Sequence, residues 1–527
     1  MTLHAAQQHT PNSFVLDSWR CRIPLNTEAT EMSDATCTSD WQERHVETGF
    51  YPPVTYLLID DLHIRRMEGV QRALCEPQKH PEPVVQARKP WEGEGVWMHN
   101  GLLYDRDEKV FKLWYHCHDP SFYDEYPHLA WNYRRAYAVS ADALTWEKPE
   151  LGVVRWQGST RNNLVDFPPA GGDGPNANVF KNPGDGDPNR RYLSLSSERH
   201  PREPGEKAIT WPGGPDPKDD PNGRGFYLCD SPDGFTWTRR PRPIMSHALC
   251  MDGPTVHGFD EDLNAWILWW RPRIGPKFRT MGISIARDLE KIPYPQMALV
   301  PDDEDAPGTE FDRCASIKVS GGYVALVRTL FPEYNRRESR DFRHIHCQLA
   351  FSRDARTWSR PAGRQSMLTV GEPGTWDELL ITPANPIQVG DDIYILYQAG
   401  RGETQRGIGL ATLKRDRWAA IEPVHIHGVL KTHPISWADR QLRINADATG
   451  GSIRAELLDV ADKPVPGFTM GDSDPVSGDS LDHTMSWGGK SQLPDDVIGA
   501  AYLEGTPGRV MSIRFDIDRA RLFSFSC

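Results

Sequence analysis

Stretches of alternating apolar and polar residues recur along the chain between residues 90 and 423. Three of them run straight into a turn of the form Ser-x-Asp-x-x-Thr-Trp, at residues 140–146, 231–237 and 352–358. Alternation with a period of two is typical of a half-buried β-strand, and Asp and Thr side chains can hydrogen-bond the backbone of a turn. We interpret the motif as a structural turn that marks one repeat, with its Trp packed between neighbouring sheets.

Each repeat also contains a strand marked by an aromatic residue at a fixed place. The markers lie 57 to 81 residues apart and are Phe111, Tyr192, Trp266, Tyr323 and Tyr394. One strand precedes each marker strand, and another leads into the turn, so the unit is strand–strand–strand–turn–strand. Four-stranded units repeated around an axis form a β-propeller, which leaves only short sheet edges. The pattern therefore predicts an all-β protein with a five-bladed β-propeller.

The repeat rhythm stops after residue 423. Residues 424–527 still alternate but lack the marker aromatics, which favours a C-terminal β-sandwich. Residues 1–50 are polar and show little periodicity, which indicates an extended N-terminal arm. The predicted organisation is thus an arm at 1–50, a propeller at 51–423 and a sandwich at 424–527, with a strand at 55–64 that helps to close the ring.

Composition narrows the classes of partner. The net charge of −13 argues against nucleic acid, and no run of about 18 apolar residues is present to span a membrane. Nine cysteines are scattered singly, and the first residues lack a basic segment followed by an apolar one. Reduced thiols and no secretory signal predict a cytoplasmic protein. The oligomeric state, a homo-oligomer included, stays open.

An acidic residue stands just ahead of the first strand of every predicted blade. In a propeller these strands line the central channel, so their starts converge at one mouth. Carboxylates accept hydrogen bonds from sugar hydroxyls, and Trp faces stack on sugar rings. The sequence therefore predicts an acidic, carbohydrate-binding mouth, formed by Glu92, Glu94, Asp173, Asp252, Glu310, Asp312, Asp377 and Glu378.

The chain resembles the five-bladed propeller glycoside hydrolases, the superfamily of invertases and levanases (family 32) and of arabinanases and xylosidases (family 43). The string VWMHNGLLYD is similar to the invertase motif Trp-Met-Asn-Asp-Pro-Asn-Gly through Trp97, Met98, Asn100 and Gly101. The Asp of that motif is missing, and His99 stands nearby. The resemblance implies acids on the inner strands of the first three blades, a C-terminal sandwich and hydrolysis of a glycosidic bond by two carboxyl groups.

Residue roles follow from the resemblance and from position. Asp252 corresponds to the family's acid in blade 3, Glu92 or Glu94 to the base or nucleophile of blade 1, and Asp173 to a group that holds substrate hydroxyls or tunes a pKa. Asp377 and Glu378 have no family counterpart and are candidates by position alone. The candidate substrate-binding residues are Trp97, His99, Trp376, Asp312 and Arg271.

Three other readings stay open. A sialidase-like enzyme would use arginines such as Arg271, Arg273 and Arg328 to bind a carboxylate. A phosphorylase-like propeller would show a basic phosphate pocket, and a non-catalytic propeller would bind sugar without two facing carboxyl groups.

No cofactor is expected, apart from a structural cation that an acid-lined channel could hold. Three His-x-His pairs could each present both rings on one strand face to a metal. They are His116 with His118, His344 with His346, and His425 with His427.

Overall fold

A computed structural model describes residues 55–119, 121, 133–167, 178–183, 186–201, 222–246, 254–274, 278–332, 345–402, 405–437, 439–494, 497 and 510–527. The predicted N-terminal arm, Asp173, Asp252 and His344 lie outside these residues. Among the residues described, no helix is both long and apolar enough to cross a membrane. The first four strands are β1 (Thr55–Leu57), β2 (Ile64–Glu68), β3 (Val70–Leu74) and β4 (Gln78–Lys79).

Five antiparallel sheets then follow one another along the chain. Blade 1 contains β5 (Val96–Trp97), β6 (Leu102–Asp105), β7 (Val110–Cys117) and β8 (Arg134–Ser140). Blade 2 contains β9 (Asn178–Lys181), β10 (Tyr192–Pro201), β11 (Asn222–Ser231), β12 (Thr238–Arg239) and β13 (Met245–Ser246). In blade 1 β5 and β6 both pair with β7, so together they form the first strand.

The remaining three blades repeat this plan. Blade 3 contains β14 (Thr255–Asp260), β15 (Ala265–Trp270), a small hairpin of β16 (Arg273–Ile274) and β17 (Phe278–Arg279), β18 (Met281–Ala286) and β19 (Gln296–Leu299). Blade 4 contains β20 (Glu310–Val319), β21 (Gly322–Leu330), β22 (Ile345–Ser352) and β23 (Ser366–Leu368). Blade 5 contains β24 (Leu379–Pro383), β25 (Ile387–Val389), β26 (Asp392–Gly400) and β27 (Arg406–Lys414). Short 3-10 helices span Pro90–Glu92, Pro188–Arg190 and Ala362–Arg364.

Each blade shares a hydrophobic core with the next, and this continuity closes the ring. One core joins blades 1 and 2, and others join blades 2 and 3, blades 3 and 4, blades 4 and 5, and blades 5 and 1. All five marker aromatics lie on the second strand of their blade, as predicted. The predicted five-bladed propeller is therefore confirmed.

The three Ser-x-Asp turns have the same structure. In the first, Asp142 Oδ1 accepts hydrogen bonds from the backbone N–H groups of Leu144 and Thr145 at 2.9 and 2.8 Å. The fourth residue of each turn has a positive φ, at Ala143, Gly234 and Ala355. Only blade 2 uses Gly there, because a Cβ on Gly234 would lie 2.6 Å from Cζ2 of Trp114.

Ring closure differs from the expectation. The strand at 55–64 was expected to help, but β1 pairs with a C-terminal strand. Instead the two-residue strand β4 adds to β27 as the outermost strand of blade 5. Lys79 of β4 forms an ion pair of 2.7 Å with Asp377, which precedes β24. An N-terminal segment thus completes the last blade.

Asparagine side chains link the first strands across the propeller axis. Asn100 of blade 1 and Asn385 of blade 5 both donate to the carbonyl oxygen of Val256 in blade 3, at 2.8 Å each. Asn178 of blade 2 accepts from the N–H of Val256, and Asn385 accepts from the N–H of Ser316 in blade 4. These bonds fix the blades relative to one another near the axis.

The C-terminal strands form one hydrogen-bonded sheet together with the first strands of the described chain. They are β28 (Ala419–Pro423), β29 (His427–Thr432), β30 (Ile435–Ser436), β31 (Arg443–Leu458), β32 (Val476–Thr484), β33 (Val510–Asp518) and β34 (Arg521–Ser526). The sheet also contains β1, β2 and β3. Residues 55–74 and 419–423 therefore pair outside the propeller, although the sequence placed both segments within it.

The long strand β31 organises this sheet. Its first half pairs with β34 and its second half with β33. Apolar side chains from both halves enter one hydrophobic core. The two-layer sandwich itself stays a prediction.

Candidate functional site

One end of the propeller gathers arginine side chains around a single carboxylate. We call Arg271, Arg279, Arg313 and Arg328 the arginine cluster, and the carboxylate is that of Asp312. Antiparallel pairing places the start of a first strand beside the end of the second, and Arg313 is the direct partner of Arg328. We call this end, where the first strands start, the mouth.

A bulge at the start of β20 presents Asp312 to this cluster. Phe311 pairs with Thr329 and Arg313 with Arg328, so Asp312 is an extra residue between two consecutive pairs. In a regular strand neighbouring side chains point to opposite faces, and a bulge redirects one of them. Asp312 and Arg313 can therefore act at the same site.

The carboxylate of Asp312 is held by ion pairs from two blades. Arg271 of blade 3 donates to Oδ1 and Arg328 of blade 4 donates to Oδ2. Arg279 lies farther away, with its Nε 3.8 Å from Oδ1. Burial alone would raise the pKa of Asp312, but the charges of the arginine cluster hold this pKa well below its usual range. Asp312 is thus a permanently ionised carboxylate.

His99 lies beside the cluster as a neutral imidazole. Burial lowers its pKa well below the usual value, and the positive charge of Arg313 lowers it further. Arg313 Nη1 contacts Nδ1 of His99. A guanidinium can only donate hydrogen bonds, so Nδ1 accepts and the ring proton is assigned to Nε2. His99 therefore offers an N–H donor at the mouth.

Aromatic rings form a wall next to His99. The ring of Trp97 lies 4.8 Å from that of His99, 4.6 Å from that of His116 and 4.8 Å from that of Tyr133, measured between centroids. The guanidinium of Arg406 lies 5.7 Å from the Trp97 centroid. Trp97 and His116 are buried, whereas Tyr133 is half-buried.

His116 is a polar side chain at 0% exposure. Neither of its ring nitrogens has a hydrogen-bond partner among the described residues. Burial, followed by the charges of Arg135 and Arg313, lowers the pKa of His116 well below its usual value. His116 is therefore a neutral imidazole with both ring nitrogens buried beside Trp97 and His99.

Glu92, one candidate base or nucleophile, is bound within blade 1. Its Oε2 accepts from the backbone N–H groups of Arg88 and Lys89 at 2.6 and 2.8 Å. Its Oε1 accepts from Tyr115 and Lys148, both at 2.5 Å. All of these contacts lie away from the arginine cluster, and they give Glu92 a structural role that the sequence did not predict.

The blade 5 candidates also have structural contacts. Asp377 binds Lys79 at 2.7 Å and the hydroxyl groups of Tyr397 and Thr375 at 3.2 and 3.0 Å. Glu378 accepts from the backbone N–H of Gly374 at 2.6 Å. Trp376 stacks on Tyr397, with centroids 5.8 Å apart. Asp377 thus holds β4 in place through Lys79, and Trp376 packs within blade 5.

The described part of the mouth is rich in arginine rather than acid. Glu310 pairs with Arg279 at 2.7 Å. Glu94 is the more exposed acid, with a side chain that is 56% accessible and 3.9 Å from Nδ1 of His118. The acid-lined mouth expected from the sequence is therefore wrong for the residues that the structure describes. An acid ahead of a strand can equally cap a turn, as Glu92 and Glu378 do.

Few features of the described residues favour metal binding. Within it no group of three or more His, Cys, Asp and Glu side chains is arranged to hold a metal ion. His118 faces Glu94, His346 packs 5.7 Å from the ring of Phe331, and His427 bonds Asp516 at 2.9 Å. The surplus of arginine at the described mouth does not fit a structural cation, because like charges repel.

Comparison with known proteins gives structural neighbours only. No protein-family model matches the chain, and no curated protein sequence does. Similar solved structures include an N-acetylgalactosamine deacetylase from F. plautii in complex with blood group B trisaccharide, at 14% identity and a TM-score of 0.41, over 66% of this chain and 96% of that one. A fructofuranosidase from Schwanniomyces occidentalis complexed with fructose matches at 11% identity with a TM-score of 0.40, over 86% of this chain and 98% of that one. A thermostable family-43 glycoside hydrolase matches at 11% identity with a TM-score of 0.40, over 62% of this chain and 93% of that one.

Four of the five predicted substrate-binding residues come together at the mouth, namely Trp97, His99, Arg271 and Asp312, while Trp376 does not join them. Arg279, Arg313, His116 and Tyr133 also lie at this site, and the sequence analysis did not include them among the candidate substrate-binding residues. A signal was present, because arginines stand where second strands end or third strands begin in several blades. They are Arg135 in blade 1, Arg271 in blade 3, Arg328 in blade 4 and Arg406 in blade 5.

Proposed function

We propose that the protein is a glycoside-processing enzyme that cleaves a glycosidic bond at the mouth of the propeller. One observation carries the proposal: residues predicted separately to bind a sugar lie together there, with Arg313 in contact with His99 and next to Asp312 in the chain. Trp97 packs on His99, His99 accepts from Arg313, and Asp312 accepts from Arg271. These residues belong to blades 1, 3 and 4, so only the closed ring assembles them.

The chemistry requires two carboxyl groups in different protonation states. Asp312 is kept ionised by the arginine cluster, so it suits the nucleophile or the group that stabilises positive charge at the anomeric carbon. It cannot supply a proton. We assign the acid role to Asp252, by its position in the sequence of blade 3, with Glu94 as the second candidate. The acid protonates the leaving oxygen as the anomeric C–O bond breaks. Water then forms the new C–O bond and gives a proton to the same residue, which returns to its acid form.

The neutral histidines complete this arrangement. His99 can donate from Nε2 to a sugar hydroxyl, and the aromatic wall of Trp97 and Tyr133 provides apolar surface for the ring. Neutral imidazoles add no charge beside the arginines, so the positive potential at the mouth comes from guanidinium groups.

A phosphorylase-like reaction is the second candidate, and the arginine cluster favours it. In that reaction a phosphate oxygen instead of water bonds to the anomeric carbon, while the leaving oxygen again takes a proton. A basic pocket is the feature expected of such a propeller. Assays with and without inorganic phosphate separate the two reactions, because phosphorolysis yields a sugar 1-phosphate.

We also propose that the protein acts in a reducing cytoplasm. Cys75, Cys117, Cys314, Cys347 and Cys527 are free, buried thiols. Several disulfides formed in the protein purified from its native cell would contradict this proposal.

The test of the proposed function is turnover on a panel of aryl glycosides, furanosides included. Asp252→Asn should lower turnover by about 10²–10⁴-fold, because proton transfer is lost. Substrates with very good leaving groups should be least affected. Asp377→Asn is the matched control, and its folded fraction should keep its turnover because Asp377 fastens β4. Absence of cleavage of every glycoside, or full activity of Asp252→Asn on poor leaving groups, would contradict the assignment.

A further inference from the structure

We infer that the arginine cluster is an oxyanion-binding site, which takes a carboxylate, sulfate or phosphate group of the substrate. Where that group is part of a sugar, the inference rests on the proposed function. The chemistry is shared by acidic sugars and by free inorganic phosphate, and the experiment below separates these sources.

The arginine cluster contains buried hydrogen-bond donors that have no partner among the described residues. A guanidinium carries five N–H groups and no acceptor, and Asp312 receives bonds from both Arg271 and Arg328. The Nε atoms of Arg279 and Arg328 are buried and have no hydrogen-bond partner within the described part of the chain. A buried donor without a partner is costly, so a ligand oxygen that accepts from these atoms gains binding energy.

The electrostatic potential at the cluster is positive. Three titratable groups next to the cluster respond to its charge in the same direction. After burial, nearby arginines lower the pKa values of His99 and His116, and they hold the pKa of Asp312 down against burial. The positive potential of these guanidinium groups attracts anions.

The cluster is partly open to solvent and lies near the aromatic wall. The side chains of Arg279 and Arg328 are 23% and 13% exposed, so part of each side chain is open to solvent although its Nε atom is buried. Beside them stands the wall of Trp97 and Tyr133, together with His116, whose buried ring nitrogens have no partner in the described chain. A sugar ring against this wall would place an acidic substituent at the arginines. Guanidinium groups bind carboxylates and phosphates through two parallel hydrogen bonds, which gives geometric selectivity as well as affinity.

The experiment is titration calorimetry of the full-length protein with matched pairs of small molecules. The pairs are glucuronate with glucose and galacturonate with galactose, and inorganic phosphate is a separate arm. The variants Arg328→Lys and Arg279→Lys keep the positive charge beside Asp312 but lose the fork geometry. Arg161→Lys is the control, because Arg161 is an exposed arginine paired with Glu150 at 3.2 Å. Thermal unfolding verifies that each variant is folded.

We expect an acidic probe to bind more tightly than its neutral partner, and each of the two cluster variants to weaken this binding by about tenfold or more. Arg161→Lys should bind as the wild type does. Tighter binding of an acidic sugar than of its neutral partner would show that the site takes an acidic group of the substrate. Binding of phosphate alone would show that the site takes free inorganic phosphate. Equal affinity for acid and neutral sugar with no phosphate binding would overturn the inference, and so would unchanged affinity in both cluster variants.

The two proposals can fail separately. Oxyanion binding without cleavage of any glycoside would leave the inference standing and remove the proposed function. Cleavage of neutral glycosides with no oxyanion preference would do the reverse.

Discussion

Arg271 in blade 3 donates a hydrogen bond to the carboxylate of Asp312 in blade 4, so one ion pair joins two neighbouring blades at the mouth. Arg328 binds the other oxygen of the same carboxylate. These two ion pairs fix the position of Asp312. They also leave further guanidinium donors beside an ionised group.

Removal of the charge of Asp312 should destabilise the protein strongly. Asp312→Asn leaves Arg271 and Arg328, which are 12% and 13% exposed, without their anion, and loss of one partner of a largely buried pair costs about 3–5 kcal/mol. The control is Asp262→Asn, since Asp262 is 80% exposed and pairs with Lys318; an exposed pair contributes at most about 1 kcal/mol. Chemical denaturation of both variants is the measurement. Equal unfolding free energies for the two variants would show that Asp312 does not hold the cluster together.

The attachment of β4 to blade 5 should depend on Lys79. Lys79→Met leaves Asp377 without its ion-pair partner, and we expect a loss of about 1–3 kcal/mol because the pair is partly exposed. Lys414→Met is the matched control, because Lys414 forms an exposed pair with Asp392 on the same blade. Limited proteolysis near residue 79 together with denaturation checks this prediction. A Lys79→Met protein as stable as Lys414→Met would contradict the account of ring closure.

The turn of blade 2 should not tolerate a side chain at Gly234. Gly234→Ala meets two penalties, because its φ is +83° and the new Cβ would lie 2.6 Å from Trp114. Gly158→Ala carries only the first penalty, because its φ is +85° and nothing lies within 4 Å. We expect Gly234→Ala to lower the unfolding free energy by about 1–3 kcal/mol more than Gly158→Ala does. Similar melting temperatures for both variants would refute the packing argument.

Acid should weaken the fold through His257. Removal of water from its ring lowers the pKa of His257 to about 4, against the opposing effects of Asp260 and the contact with Ser316. Between pH 6.5 and about 4 the unfolded chain binds more protons at this residue than the folded one. The unfolding free energy should therefore fall as the pH falls, by up to about 1.4 kcal/mol per unit from this group.

His257→Gln provides the comparison for this pH dependence. The variant should show a shallower loss of stability between pH 6.5 and 4 than the wild type, measured by denaturation at several pH values. Parallel curves for the two proteins would mean that the pKa of His257 does not change on folding.

The blades could be predicted from the sequence because each blade repeats local rules. Strand alternation, a marker aromatic such as Tyr323 and the Asp-capped turn recur at similar spacing, and each has a local physical cause. The strand β4 could not be found in this way, since two residues carry no periodicity. Its place in blade 5 depends on the long-range contact between Lys79 and Asp377.

The site was predictable in part for the same reason. The starts of first strands meet at the mouth, and in the structure Asp312 and His99 both lie there, His99 in contact with Arg313. Composition alone could not show that Glu92 binds backbone N–H groups. The sequence around an acid that precedes a strand is the same whether the acid lines a channel or caps a turn. Nor could it reveal the bulge that aims Asp312 at Arg328, because a bulge depends on the pairing of two strands.

The most direct test of the central claim is a crystal structure of the protein soaked with glucuronate. The account predicts a sugar at the mouth, with its ring against Trp97 and Tyr133 and its carboxylate within hydrogen-bond distance of Arg279 or Arg328. A sugar bound elsewhere on the propeller, with only water beside the arginine cluster at a saturating concentration, would contradict it.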